Sequence, residues 1–130
     1  MKVLVTGGAG FIGSHLCEAL LQRGDEVEVL DNFNDFYDPA IKRQNVAEAL
    51  GGARVVEGDI RDQSLVQTLL GEGFDALVHL AAMAGVRPSV EDPLLYQDVN
   101  VRGTLILMEA LRARPETRFV MASSSSVYGG

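Results

Sequence analysis

The stretch VLVTGGAGFIGSHL restricts the fold more than any other part of the chain. A short apolar run, Val3-Leu4-Val5, leads into Gly7, Gly10 and Gly13 in a G-x-x-G-x-x-G spacing, and then into a helical pattern. Glycine at the first position allows a sharp turn off a strand. At the second it leaves no side chain where another group must approach the main chain. At the third it lets a helix pack closely on a sheet. A strand, a tight turn and a helix in this order open a β-α-β unit, whose second strand runs parallel to the first.

The pattern then repeats. Further apolar runs lie at Val27-Glu28-Val29-Leu30, Arg54-Val55-Val56, Ala76-Leu77-Val78-His79-Leu80 and Arg118-Phe119-Val120-Met121-Ala122. They are short and β-branched, and most suit strands buried on both faces. The spacers are too long for hairpins. Phe11 to Arg23 sets Ile12, Leu16, Ala19 and Leu20 on one helical face, with Gly24 at its end. After an irregular loop from Asn32 to Asp38, Pro39 opens a helix to about Leu50, stopped by Gly51-Gly52. Asp62 is an N-cap for a helix carrying Leu65, Val66, Leu69 and Leu70, and a fourth helix is expected from Pro93 to about Arg114. The alternation predicts an α/β, Rossmann-type doubly wound parallel sheet of five strands in order 3-2-1-4-5, with right-handed crossovers. No linker or repeat divides the 130 residues, which read as one domain.

Turn and second strand together define a ligand. The Phe11 and Ile12 amides stand at a helix start, where partial positive charge favours phosphate. Strand two ends in Asp31, 18 residues after Gly13. A carboxylate there accepts hydrogen bonds from both ribose hydroxyls of an adenosine and repels a 2′-phosphate. The expected ligand is therefore a dinucleotide, NAD in preference to NADP, on Gly7, Gly10, Phe11, Ile12, Gly13, Asp31 and the adjoining Asn32. After strand three, Asp59 is placed to accept from the adenine amino group and Ile60 to pack on the ring; Asp59 also suits a turn cap. Leu80, Ala81 and Ala82 close strand four beside the glycine turn, where small residues leave room for a cofactor or simply pack tightly. His79, inside that strand, reads as a core or supporting histidine. Lys42 and Arg43 read as surface charges on the second helix.

Composition narrows the partners. The net charge is −7, without the basic patch that a nucleic-acid surface needs. An acidic chain still binds an anionic ligand through main-chain amides. Cys17 is the single cysteine, so no internal disulfide forms; it reads as a small buried hydrophobe, and a free thiol fits a cytoplasmic location. The start of the chain lacks a signal-peptide pattern, no apolar run approaches a membrane span, and no metal site is expected.

The motifs TGGAGFIG, GDIRD, HLAA, NVRGT and SSSSVYG fall in the order and spacing of the extended short-chain dehydrogenase/reductase family. Within it the chain resembles the NAD-dependent nucleotide-sugar epimerases and dehydratases. DNFNDFYDPAIKRQN and AAMAGVRPSVEDP are most similar to the UDP-glucuronate 4-epimerases, then to UDP-glucose 4-epimerase. The resemblance implies epimerisation at C4 of a UDP-sugar: hydride leaves C4 for bound NAD+, a tyrosine takes the 4-hydroxyl proton, and the 4-keto sugar receives hydride on its other face. It implies that Ser124 hydrogen-bonds the reacting oxygen, with Ser123 and Ser125 beside it and Ser125 toward substrate. It sets Asn100 toward the cofactor, next to Val99, where many relatives carry a polar residue. Arg87 then pairs with a sugar carboxylate or phosphate, or is equally a solvent-exposed loop arginine. Tyr128 belongs to the VYG signature and is not the catalytic tyrosine.

The family's Tyr-x-x-x-Lys pair and sugar-binding domain are expected beyond the last residue. The resemblance therefore implies a truncated, N-terminal NAD-binding part, inactive alone. An autonomous dinucleotide-binding module or sensor, and half of a dehydratase or reductase, are the alternatives. Strand five is then an open edge, and the fourth helix turns Val101, Leu105, Met108 and Leu111 outward. A homodimer or larger oligomer through either surface is expected.

Overall fold

Strand β1 (Lys2–Thr6) is the spine of the sheet. It pairs in parallel with β2 (Glu26–Asp31), Val3 opposite Val27, and on its other side with β4 (Ala76–His79), Val3 opposite Ala76. β3 (Arg54–Glu57) extends the β2 side and β5 (Arg118–Met121) the β4 side, giving the expected five-stranded order β3-β2-β1-β4-β5. The computed structural model describes residues 1–35 and 38–129. Phe36 and Tyr37, inside the expected Asn32–Asp38 loop, and Gly130 lie outside the described residues.

Two apolar layers flank the sheet. Val3, Val5, Val27 and Val29 face Cys17 of α1 (Phe11–Gln22) and Leu50, which follows α2 (Pro39–Ala49). Leu4, Leu30 and Leu77 face Val66, Leu69 and Leu70 of α3 (Gln63–Leu70) together with Leu107 and Leu111. The alternation along β1 thus feeds both layers, as a strand buried on two faces requires. Asp62 caps α3, accepting from Leu65 N, and Asp38 caps α2, accepting from Ala40 N.

Four expectations need correction. On α1, Leu16 and Leu20 pack on the sheet-side core as expected and are joined by the buried Gly13, Ser14 and Cys17, whereas Ala19 is exposed and Ile12 is 68% exposed. With no side chain of its own, Gly13 brings the helix against the glycine turn and rotates the buried face away from Ile12. Leu111 is buried in the α3-side core, so the outward stripe of the last helix holds Val101, Leu105 and Met108 alone. The expected single helix from Pro93 is three pieces: α5 (Pro93–Tyr96), a π-helical turn (Gln97–Arg102) and α6 (Gly103–Leu111). A short α4 (Val86–Glu91) precedes them where a loop was expected.

Gly103 opens α6 against the end of β3. A Cβ there would come 2.8 Å from Cγ1 of Ile60, so helix and loop meet with no space for a side chain between them.

Candidate functional site: a crevice at the strand ends

The sheet order reverses between β1 and β4, and a crevice opens there at the carboxyl ends of the strands, where an open α/β sheet binds ligands. The sequence produces it in steps. Gly7 has φ +70°, a left-handed conformation that only glycine adopts freely, and a Cβ there would lie 2.8 Å from Ala81 N. The chain therefore turns sharply and packs directly on the end of β4. Gly10 has φ −73°, which any residue can adopt, so its missing side chain matters for space: it lines the crevice floor. The first helical bond of α1 runs from Ser14 N to Gly10 O, leaving the Phe11, Ile12 and Gly13 amides directed out of the helix start.

The crevice has two compartments. One is walled by Asp31, Asn32, Asp59, Ile60 and Val99. The other is walled by Phe11, Ile12, Gly13, Ala84 and Ala122. Gly7, Gly10, Asn34, Lys42, Leu80 and Ala82 border both. Of the residues expected to hold a dinucleotide, the structure brings together Gly7, Gly10, Phe11, Ile12, Gly13, Asp31, Asn32, Asp59, Ile60, Leu80, Ala81 and Ala82.

Asp31 is a structural hub as well as a wall. Only 4% exposed, it accepts from Phe33 N (2.8 Å) and Lys42 Nζ (3.0 Å) on Oδ1, and from Ala9 N (3.1 Å) on Oδ2. Phe33 has φ +51°, and its amide bond to Asp31 holds that turn. Asn45 of α2 donates to Ala9 O, so both polar groups of Ala9 are fixed and the glycine turn is braced from outside. Lys42 is thus not a surface charge: it is 8% exposed and faces the crevice. Arg43, by contrast, is exposed, paired with Glu57 and stacked over the Phe33 ring.

Asp59 accepts from Arg61 N, Nε and Nη2 and from Asn32 Nδ2. The Arg61 guanidinium holds its carboxyl down at about 2, and Arg61 reaches on to Asp98 in the π turn. Asp59 therefore caps a turn and also borders the crevice.

Asn100 does not line the crevice. Its amide accepts from Met83 N (2.8 Å) and donates to Met83 O (2.9 Å), fixing the loop after β4. Behind the wall runs a buried chain of side chains. Thr104 Oγ1 donates to Asn100 O, so it accepts from His79 Nε2–H; His79 Nδ1 then accepts from Thr6 Oγ1, which accepts the Leu80 and Ala81 amides. Burial lowers the His79 pKa to about 4, in keeping with this neutral tautomer.

The residues expected to face a sugar are not gathered in the crevice. Arg87 stands exposed on α4 rather than in a loop, outside both linings. Ser124 caps a 3-10 turn (Ser125–Tyr128), its Oγ accepting from Ser126 N, and Ser123 to Ser126 are exposed; Ala122 alone of this segment reaches the lining. Sequence reasoning missed Lys42 and Asn34. The available signal was position: Lys42 sits in the first turns of a helix that starts just after the end of β2.

Comparison with known proteins places this geometry. UDP-glucuronate 4-epimerase 3 of Arabidopsis thaliana is 50% identical over 131 residues, 98% of this chain and 30% of its own. The chain spans less than a third of that relative's length. A UDP-glucose 4-epimerase of Klebsiella pneumoniae is 46% identical, covering 99% of this chain and 93% of its own. Among solved structures, UDP-glucose-4-epimerase from Stenotrophomonas maltophila with bound NAD and formylated UDP-arabinopyranose superposes with a TM-score of 0.86 at 37% identity, over 99% of this chain and 38% of the other. The GDP-mannose 4,6 dehydratase family pattern matches residues 4–130, glycine turn and serine run included, and by that match the chain belongs to this family of Rossmann-fold epimerases and dehydratases.

Proposed function

We propose that the chain is the NAD-binding part of a UDP-sugar 4-epimerase, acting through a 4-keto sugar. The observation that carries the reading is the crevice itself: a buried carboxylate at the end of β2 faces a glycine turn whose Gly10 leaves the floor bare. Asp31 Oδ2, which accepts one amide, keeps a lone pair for a ribose hydroxyl. The Phe11, Ile12 and Gly13 amides suit a diphosphate, and Ile60 and Val99 offer an apolar wall to a base. NAD, when bound, supplies reversible hydride acceptance from a sugar carbon. The relatives' names and the NAD-bound neighbour support the same assignment.

The sugar side of the proposal rests on Ser124, Ser125 and Arg87, which lie beyond the crevice at the carboxyl ends of β4 and β5. The 130 residues contain no Tyr-x-x-x-Lys pattern, so binding is proposed here without the proton-transfer pair. No helix among the described residues is long and apolar enough to cross a membrane. The buried free thiol of Cys17 supports a cytoplasmic setting.

Calorimetric titration tests the binding claim. NAD is expected to bind at least about tenfold more tightly than NADP, because a 2′-phosphate meets Asp31. Equal affinities, or none for NAD, would refute it. Self-association is proposed as well, through the stripe of Val101, Leu105 and Met108 or the open side of β5, where Val120 and Met121 are exposed. Light scattering should return at least a dimer, and a monomer at every concentration would rule this out.

A further inference from the structure

We propose that α4 is a lid, hinged at Gly85, that closes over the second compartment of the crevice when a dinucleotide fills it; the inference rests on the binding proposal above and concerns what covers that site. None of the six residues of α4 is buried. Val86 and Val90, one helical turn apart and so on one face, are 82% and 75% exposed. A helix that shows its apolar face to water gains by covering it. The nearest cover is the crevice itself. Ala84, two residues before Val86, lines the second compartment, and so do Phe11 and Ile12, which are 73% and 68% exposed. Apolar side chains thus stand bare on the helix and on the rim beside it.

The chain is anchored on both sides of α4, and the joint is free to turn. Before it, the Asn100 amide grips Met83 N and O, and Tyr96 Oη–H donates to Ala84 O (2.6 Å). After it, Asp92 caps α5 by accepting from Leu95 N (3.3 Å) and breaks the helix with φ −138° and ψ 71°. Between the anchors, Gly85 has φ +98°, a region that glycine enters and leaves at little cost. Pro88 has no N–H, so it cannot give Ala84 O the helical bond that would splint this joint. Closure about such a joint concentrates the change in one or two residues while the anchors hold still. It lays Val86 and Val90 against Phe11 and Ile12. It also brings Arg87, which stands outside both linings, to the mouth of the second compartment, where a cation favours an anionic ligand in a chain of net charge −7.

The chain has no tryptophan, so Val90→Trp places a single reporter on the lid. Its emission is followed while adenosine or NAD is added, with binding of each measured by calorimetry. NAD should move the emission to shorter wavelength and shield it from acrylamide, whereas adenosine, which leaves the second compartment empty, should do neither. A reporter that stays as exposed with bound NAD as with bound adenosine overturns the lid. So does shielding that needs no ligand and grows with protein concentration, since a second copy would then be the cover. The combined variant Val86→Ser with Val90→Ser removes the apolar face. It should melt with the parent chain, because neither side chain is buried here, and bind NAD about fivefold or more weakly, with adenosine unchanged within about twofold. Equal NAD affinity in parent and variant, or equal weakening of both ligands, refutes the inference. If the double variant does not fold, the tryptophan reporter decides. Failure of the parent chain to bind NAD at all in calorimetry would instead bring down the dinucleotide reading, and the lid with it.

Discussion

Replacing Asp31 with alanine is expected to lower the unfolding midpoint by roughly 10–20 °C and to abolish NAD binding. The expected stability loss of about 3–5 kcal/mol follows from removing the carboxylate of the buried Asp31–Lys42 ion pair. The Ala9 and Phe33 amides lose their acceptor in the same step. Phe33 is then left in a left-handed conformation, which costs a bulky residue of order 1–2 kcal/mol, without the bond that holds it. Asp31→Asn should do less harm, since one amide oxygen still accepts from two donors. Thermal unfolding followed by circular dichroism, paired with calorimetry, separates the outcomes. An alanine variant that melts with the parent would mean that the turn is not built around this carboxylate. An alanine variant that binds NAD normally would remove Asp31 from the site.

Stability should also fall as pH drops from about 6.5 to about 4, and His79 is the cause. Its folded pKa lies below its unfolded value, so under mild acid the unfolded chain takes up a proton that the folded chain refuses. The contribution is fully present above pH 6.5, is lost progressively on the way to pH 4, and amounts to at most about 3 kcal/mol. Protonating Nδ1 would aim a donor at Thr6 Oγ1, which already accepts two amides. Asp59, held down at about 2 chiefly by Arg61, extends the decline below its ordinary value of 3.8. Glu28, raised by burial, pulls the other way above its ordinary 4.5. Urea unfolding at a series of pH values should reveal the upper limb, and His79→Gln should flatten it. An identical slope in the variant would assign that limb elsewhere.

Some of this was legible in the residues and some was not. The sheet order followed from alternating apolar runs and long spacers, because burial on both faces leaves few other topologies for Val3-Leu4-Val5 and its counterparts. The glycine turn, Asp31 and the Asp62 cap were legible because each is a local rule with a fixed spacing. Lys42 was not. Its burial comes from a counter-charge 11 residues earlier on another element, and α2 has too weak an apolar face to orient it from sequence. Helix α4 escaped because six residues with Pro88 among them are too few to display a period. The π turn leaves no trace in composition, yet it alters which side chains of Gln97–Arg102 face inward. Ile12 misled because the nearness of Gly13 to the turn, not hydrophobicity, sets the rotation of α1.

The contact between Ile60 and Gly103 has a consequence for how such chains can diverge. A wall of the crevice and the first residue of a core helix share one steric allowance, so position 103 cannot gain a side chain while Ile60 stays where it is. A methyl group gained at 103 must be matched by a shorter or displaced side chain at 60, so a change at 60 should come before one at 103.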